Sequence, residues 1–285
     1  HPASEGVAEG MHPVMLFSAG KDSTVLASLA LRAFYPGPPP FPLLHVDSTW
    51  EFASLLNFRD AFARQHGFRL IVYANEEGRA AGLNPFDHGD VYTTTMRTEA
   101  LKQALDQGGY DVIFGGARRD EERSRAKERI FSVRSPGHGW DPRQQRPEFW
   151  RLFNTRLSPG QTLRVFPLSN WTETDIWAYA LRRGITLAPL YFAQTRPVIE
   201  RDGALIVLDD PVRMPLKPGE QVSHRRVRFR TLGCWPVTAA IASEAADLTT
   251  VVRETLGASV SERQGRISDR AGAGSLESQK REGYF

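Results

Sequence analysis

The chain has 285 residues with 41% hydrophobic and 24% charged content, which suits a soluble globular protein with one large or two modest domains. No run approaches the roughly 18 to 20 apolar residues of a membrane span, and the N-terminal HPASEGVAEGMHP lacks the apolar stretch of a signal peptide, so the expected compartment is the cytoplasm. A net charge of +3, with basic residues concentrated at 118–129 and 224–230, favours a small anionic ligand over nucleic acid. The single cysteine, Cys234, excludes an internal disulfide, a CxxC redox pair and a cysteine metal cage, and its setting between Gly233 and Trp235 suits a buried small side chain.

In chain order, VMLF (14–17) is too short for a buried helix and reads as a strand covered on both faces. The break SAGKDS follows, and then Val25, Leu26, Leu29, Ala33 and Phe34 recur at helical spacing. A strand, a tight turn and a helix aim backbone N–H groups and a helix dipole at one point, which suits an anion. Ser18, Gly20 and Ser23 permit close approach and add hydroxyls, and Lys21 adds charge. The turn is not a Walker A loop, because Met15 and Asp22 occupy positions that require glycine and a hydroxyl residue. Asp22 suits either a helix N-cap or a place at the phosphates and their metal.

Four further apolar runs, LLHVDS (43–48), RLIVYAN (69–75), YDVIFGG (110–116) and LRVFPLS (163–169), read as buried strands, with helical spacing over 55–66 and 96–107 between them. The alternation predicts an α/β fold, a doubly wound parallel sheet of about five strands. Ligands of such sheets bind beyond the carboxyl ends of the strands, so FSAGKDS, HVDST and FGGARRDEE are expected to form one site. Residues 135–162 read as a long structured loop, and Thr172 with Asp175 as a capping box opening a helix to Arg183. The expected divisions are an N-terminal remnant (1–13), a nucleotide-binding domain (14–210) and a long C-terminal extension (211–285) that completes the site or meets a partner.

The motif S-x-G-K-D-S resembles the pyrophosphate loop of the ATP pyrophosphatase, or adenine nucleotide alpha hydrolase-like, superfamily. FPLLHVDSTW, GLNPFDHG, FGGARRDEERSRAKERIFS, WDPRQQRPE, RVFPLSNWTETDIW, RFRTLGCWP, SERQGR and KREGYF extend the resemblance along the chain. Together they resemble the small catalytic subunit of the bacterial two-subunit sulfate adenylyltransferase. That family converts ATP and sulfate to adenylyl sulfate and pyrophosphate by in-line attack on the α-phosphate, with Mg²⁺ on the phosphates. It couples the step to GTP hydrolysis on a separate large GTPase subunit.

The resemblance implies that Ser18, Ala19, Gly20, Lys21, Asp22 and Ser23 cradle the β and γ phosphates, with Asp22 the candidate metal ligand. Asp47 would reach the nucleotide, and Gly115 and Gly116 would allow close backbone approach. Arg118 and Arg119 are the expected ligands of sulfate and the α-phosphate, since a guanidinium fork matches a tetrahedral oxyanion. The rest of 118–129, including Glu122, Lys127, Glu128 and Arg129, reads as a solvated helix laced with ion pairs. Arg228 and Arg230 either complete the anion site or pair with acids. Departures from the family pattern are Ala19, Ser48, Glu51 where lysine is usual, and a shortened HGDVYTTTM. A phosphoadenylyl sulfate reductase would share the fold but needs a C-terminal Glu-Cys-Gly-Leu, and a nucleotide sensor without chemistry would have no use for Arg118 and Arg119.

Overall fold

A computed structural model describes residues 6–7, 12–121, 125–148, 153 and 155–257. The segments SERQGR and KREGYF, Glu122 and most of the N-terminal remnant lie outside the described residues.

Five parallel strands form as the apolar runs predict: β1 (Pro13–Leu16), β2 (Leu43–Val46), β3 (Leu70–Tyr73), β4 (Val112–Phe114) and β6 (Thr162–Val165). A sixth, β5 (Phe131–Arg134), pairs antiparallel with β6 at one edge, giving the order β3-β2-β1-β4-β6-β5. This edge strand lies between the stretch read as solvated helix (118–129) and that read as loop (135–162). The chain winds from β1 outward to β3, then returns to β4 on the other side of β1. The switch point therefore falls between the carboxyl ends of β1 and β4, where an open α/β sheet parts to admit a ligand.

Helix α1 (Lys21–Ala33) buries Val25, Leu26, Ala27 and Ala30 against the sheet, and α2 (Ala53–Gln65) buries Leu55, Phe62 and Ala63. A short helix, α3 (Glu76–Ala80), precedes α4 (Gly89–Thr93), which passes through a π-helical turn (Thr94–Glu99) into α5 (Ala100–Gly108). The opposite sheet face packs Val14, Leu44 and Ile113 on Leu101, Ala104 and Leu105 of α5. Helix α6 (Glu173–Arg183) opens with the expected capping box of Thr172 and Asp175 and stops at Gly184, which adopts the left-handed conformation at φ 61°.

A small closed barrel follows, β10-β8-β7-β9, built from β7 (Gln194–Arg201), β8 (Ala204–Val207), β9 (Ser223–Arg228) and β10 (Ala239–Ala242), with α7 (Leu248–Leu256) behind it. Its strands come from both sides of residue 210, because β7 and β8 pair with β9 and β10. The barrel is seated on the end of β2 by aromatic contacts: Phe52 on Phe229, and Trp50 on Trp235 with ring centroids 5.3 Å apart.

Candidate nucleotide site

The loop after β1 is shaped by one residue. Ala19 takes φ 57°, a left-handed bend that costs a non-glycine residue about 1 kcal/mol. Its methyl is buried in the core, so its contribution is the bend rather than a contact with ligand. Ser18 Oγ then accepts from the Gly20 N–H at 3.3 Å and meets Ser23 Oγ at the same distance, and Ser23 Oγ donates to the Gly20 carbonyl. Gly20, at the start of α1, supplies no side-chain cap of its own. The Lys21 N–H is taken by the Tyr191 hydroxyl at 2.7 Å, from a segment 170 residues away in sequence. The result is a helix N-terminus with its positive dipole end at the switch point.

This loop borders a cavity of about 230 Å³. Its lining combines the apolar Leu16, Leu44, Val46, Leu101 and Ile113 with Ser18, Lys21, Asp22, Ser23, Arg97, Glu121, Arg125 and Arg164. Gly115 and Gly116 line it as expected, and Gly116 has a further constraint: a Cβ there would stand 3.2 Å from the backbone of Asp22 and Ser23. Glycine at 116 lets the end of β4 lie directly on the phosphate loop.

Other expectations are corrected. Arg118 and Arg119 do not line the cavity. The Arg118 guanidinium is fully buried, and its Nε donates to Asp22 Oδ1 at 2.6 Å, while Asp22 Oδ2 takes Lys21 Nζ at 3.1 Å. Asp22 is therefore a counter-ion for two buried cations. Each of its oxygens thus faces a cation of the protein, it lines the cavity, and among the described residues no three acidic, histidine or cysteine side chains converge as a metal site. Arg119 turns the other way, donating to the Glu128 carbonyl and to Asn170 Oδ1, with Glu148 at 3.5 Å.

Arg228 and Arg230 follow the ion-pair alternative. Arg228 holds Glu254 of α7 and Arg230 holds Glu173 of α6, at 2.9 and 2.6 Å. Of the stretch read as solvated, Lys127 and Arg129 are exposed, but Glu128 is buried as the counter-ion of Arg134, 3.4 Å away, and buried Arg125 pairs with Glu121. Asp47 accepts from the Thr49 N–H and faces an adjoining cleft, which shares Glu51 with the main cavity.

His45, which the sequence reading did not single out, also lines the cavity, as does Glu51, noted above as a departure. His45 lies under the loop with its Nδ1–H donating to the Phe17 carbonyl at 2.9 Å. Burial, seconded by the Arg59 guanidinium, pushes its imidazole down to about 4, so it is neutral at pH 7. Glu51 accepts from Ser48 Oγ at 2.5 Å; burial raises its carboxyl above the usual range, and the Ser48 hydroxyl opposes that rise. Ser48 also receives the Tyr92 hydroxyl, and Cys234 Sγ closes this buried cluster. The thiol is a packed polar contact, in keeping with its buried setting.

A family model for the phosphoadenosine phosphosulfate reductase domain matches residues 12–240. The chain is 61% identical over 286 aligned positions to sulfate adenylyltransferase subunit 2 of Brucella anthropi, covering 100% of this chain and 93% of that one. It is 60% identical to the same-named protein of Brucella ovis, with 100% and 95% covered. Among solved structures it is similar to a phosphoadenylyl-sulfate reductase of Candida auris in a phosphate complex, at 15% identity and a TM-score of 0.48, covering 66% of this chain and 82% of that one.

Proposed function

The chain belongs to the sulfate adenylyltransferase subunit 2 family, and on that premise we propose how its own residues carry the reaction. The reaction joins ATP and sulfate. A sulfate oxygen attacks the α-phosphorus, the bond to the β-phosphate oxygen breaks, and pyrophosphate departs with that electron pair. No proton moves and no covalent enzyme intermediate is needed, so the protein supplies position and charge.

The observation that carries the reading is the start of α1, with no side-chain cap from Gly20, lying at the switch point of the sheet. Ser18, Gly20, Lys21 and Ser23 hold the β and γ phosphates there, where N–H groups, hydroxyls and an ammonium meet charge that grows as pyrophosphate leaves. The apolar wall of Leu44, Val46 and Leu101 takes the adenine, and Gly115 and Gly116 keep the β4 end close to the phosphate chain. Mg²⁺ arrives on the nucleotide's own phosphates, in keeping with its habit of retaining water and phosphate ligands. Arg118 fixes Asp22 and hence the loop, acting as a positioning residue.

The partner is a large GTPase subunit, whose GTP hydrolysis drives an otherwise uphill anhydride synthesis in the cytoplasm. The barrel and the C-terminal extension are the proposed meeting place. Pyrophosphate release from ATP by the chain and its GTPase partner is the test. Release is expected only with sulfate present and faster with GTP; sulfate-independent release would overturn the reading.

A further inference from the structure

Arg164 lies in β6, between Ile113 of β4 and Ser132 of β5, in a strand whose neighbouring Leu163 and Val165 are fully buried. Its side chain is 1% exposed yet lines the same cavity as the phosphate loop. None of its three nitrogens has a hydrogen-bond partner among the described residues. A guanidinium has five N–H donors, and burying them without acceptors is costly, so such a group stands out against the usual satisfied interior.

The acids nearby serve other cations. Glu128 lies 3.4 Å from Arg134, which is itself fully buried on the adjacent strand. Asp22 serves Lys21 and Arg118, and Glu121 serves Arg125. Burial and the like charge of Arg134 push the Arg164 guanidinium down to about 9, still protonated at neutral pH. One wall of the cavity thus holds a cation that, among the described residues, no acid holds by a hydrogen bond, Glu128 acting on it only at longer range.

We propose that Arg164 is the residue that binds the attacking sulfate, its planar fork taking two oxygens of the tetrahedral dianion. The inference rests on the phosphates lying at residues 18–23. In-line displacement places nucleophile and leaving group on opposite sides of the α-phosphorus, so the two anions need separate seats. The loop after β1 provides one; Arg164, two strands along on β6 with β4 between, provides the other. Arg134 stands behind as a positioning cation, balanced by Glu128.

The test uses the chain with its partner subunit and the variants Arg164→Met and Arg164→Lys. Arg164→Met removes a buried charge with no hydrogen-bonded acid among the described residues and is expected to melt at or above the wild-type temperature. Wild type, with α,β-methylene-ATP bound, should gain further melting temperature on adding sulfate. Arg164→Met should keep the gain from the analogue and lose the gain from sulfate. Its KM for sulfate should rise roughly ten- to a hundredfold, the worth of a charge-assisted hydrogen bond, with KM for ATP little changed. Arg164→Lys, which keeps the charge without the fork, should fall between and reports on sulfate even if Arg164→Met fails to fold. A full sulfate gain in Arg164→Met, or a lost analogue gain with unchanged sulfate KM, overturns the proposal; the second outcome would put a phosphate of ATP on Arg164. If wild type itself forms no adenylyl sulfate, the reaction assigned above fails instead.

Discussion

Arg118 Nε donates to Asp22 Oδ1 across 2.6 Å, tying the segment after β4 to the first turn of α1. The carboxylate also holds Lys21 and the guanidinium lies 3.6 Å from Asp120, so the pair is the short centre of a small charge network. Asp22→Ala removes the carboxylate 2.6 Å from a fully buried arginine, a change that costs about 3 kcal/mol or more. The expected result is a clear fall in the midpoint of urea unfolding, largely restored by adding Arg118→Met. A variant that kept its stability but lost magnesium dependence would return Asp22 to the metal.

Gly116 predicts a different signature. The Cβ of Gly116→Ala would press on the backbone of Asp22 and Ser23 at 3.2 Å, so the loop must shift by a few tenths of an ångström. Overpacking of this kind costs about 1 to 3 kcal/mol, and where it displaces the phosphate loop it should weaken ATP binding about tenfold. Equilibrium binding of ATP to the variant checks this; unchanged affinity would show that the loop does not need so close a neighbour.

His45 sets a pH dependence with a definite sign. Its folded value of about 4 lies below the unfolded 6.5, so between these values the unfolded chain binds a proton that the folded chain refuses. Stability from this group is whole above pH 6.5 and is lost as pH falls toward 4, by about 3 kcal/mol in all. Urea denaturation across pH 7 to 4 should show this loss in wild type and a flatter profile in His45→Gln. Equal slopes in the two would remove His45 as the cause.

Glu254 separates framework from site. Its carboxylate takes both Nε and an Nη of buried Arg228 at 2.9 Å and also accepts from Ser243, holding α7 to the barrel. Glu254→Gln should cost about 2 to 3 kcal/mol while KM for both ATP and sulfate stays within a factor of two. A large rise in the sulfate KM would bring Arg228 back to the anion site.

The parallel strands were legible because a strand covered on both faces reads as an apolar run, and the turn at SAGKDS was legible because it breaks an apolar run and is followed by apolar residues at helical spacing. The barrel was not. Its strands mix Gln194, Thr195 and Arg196 with Val198 and Ile199, and β9 opens Ser-His-Arg-Arg, a pattern that reads as charged loop. β5 was hidden for the same reason, since FSVR ends in a buried arginine whose acid, Glu128, lies in a run that looked solvated.

The two arginines after Gly-Gly-Ala were over-read, because sequence shows a guanidinium's place in the chain but not which carboxylate it will meet. Arg164 was passed over inside LRVFPLS. A charge within an otherwise apolar, doubly covered strand is the signal that marks it, since nothing in that layer of the fold tolerates one without a purpose.

The Tyr191 hydroxyl on the Lys21 N–H also bears on the order of assembly. A nascent chain that has emerged only as far as residue 185 already contains all five parallel strands and the whole SAGKDS turn. It still lacks the tyrosine that fastens the turn, and Thr231, Leu232 and Gly233, which wall the cavity, come later again. The cavity's wall is thus complete only when a segment lying between β9 and β10 has come back to the loop after β1.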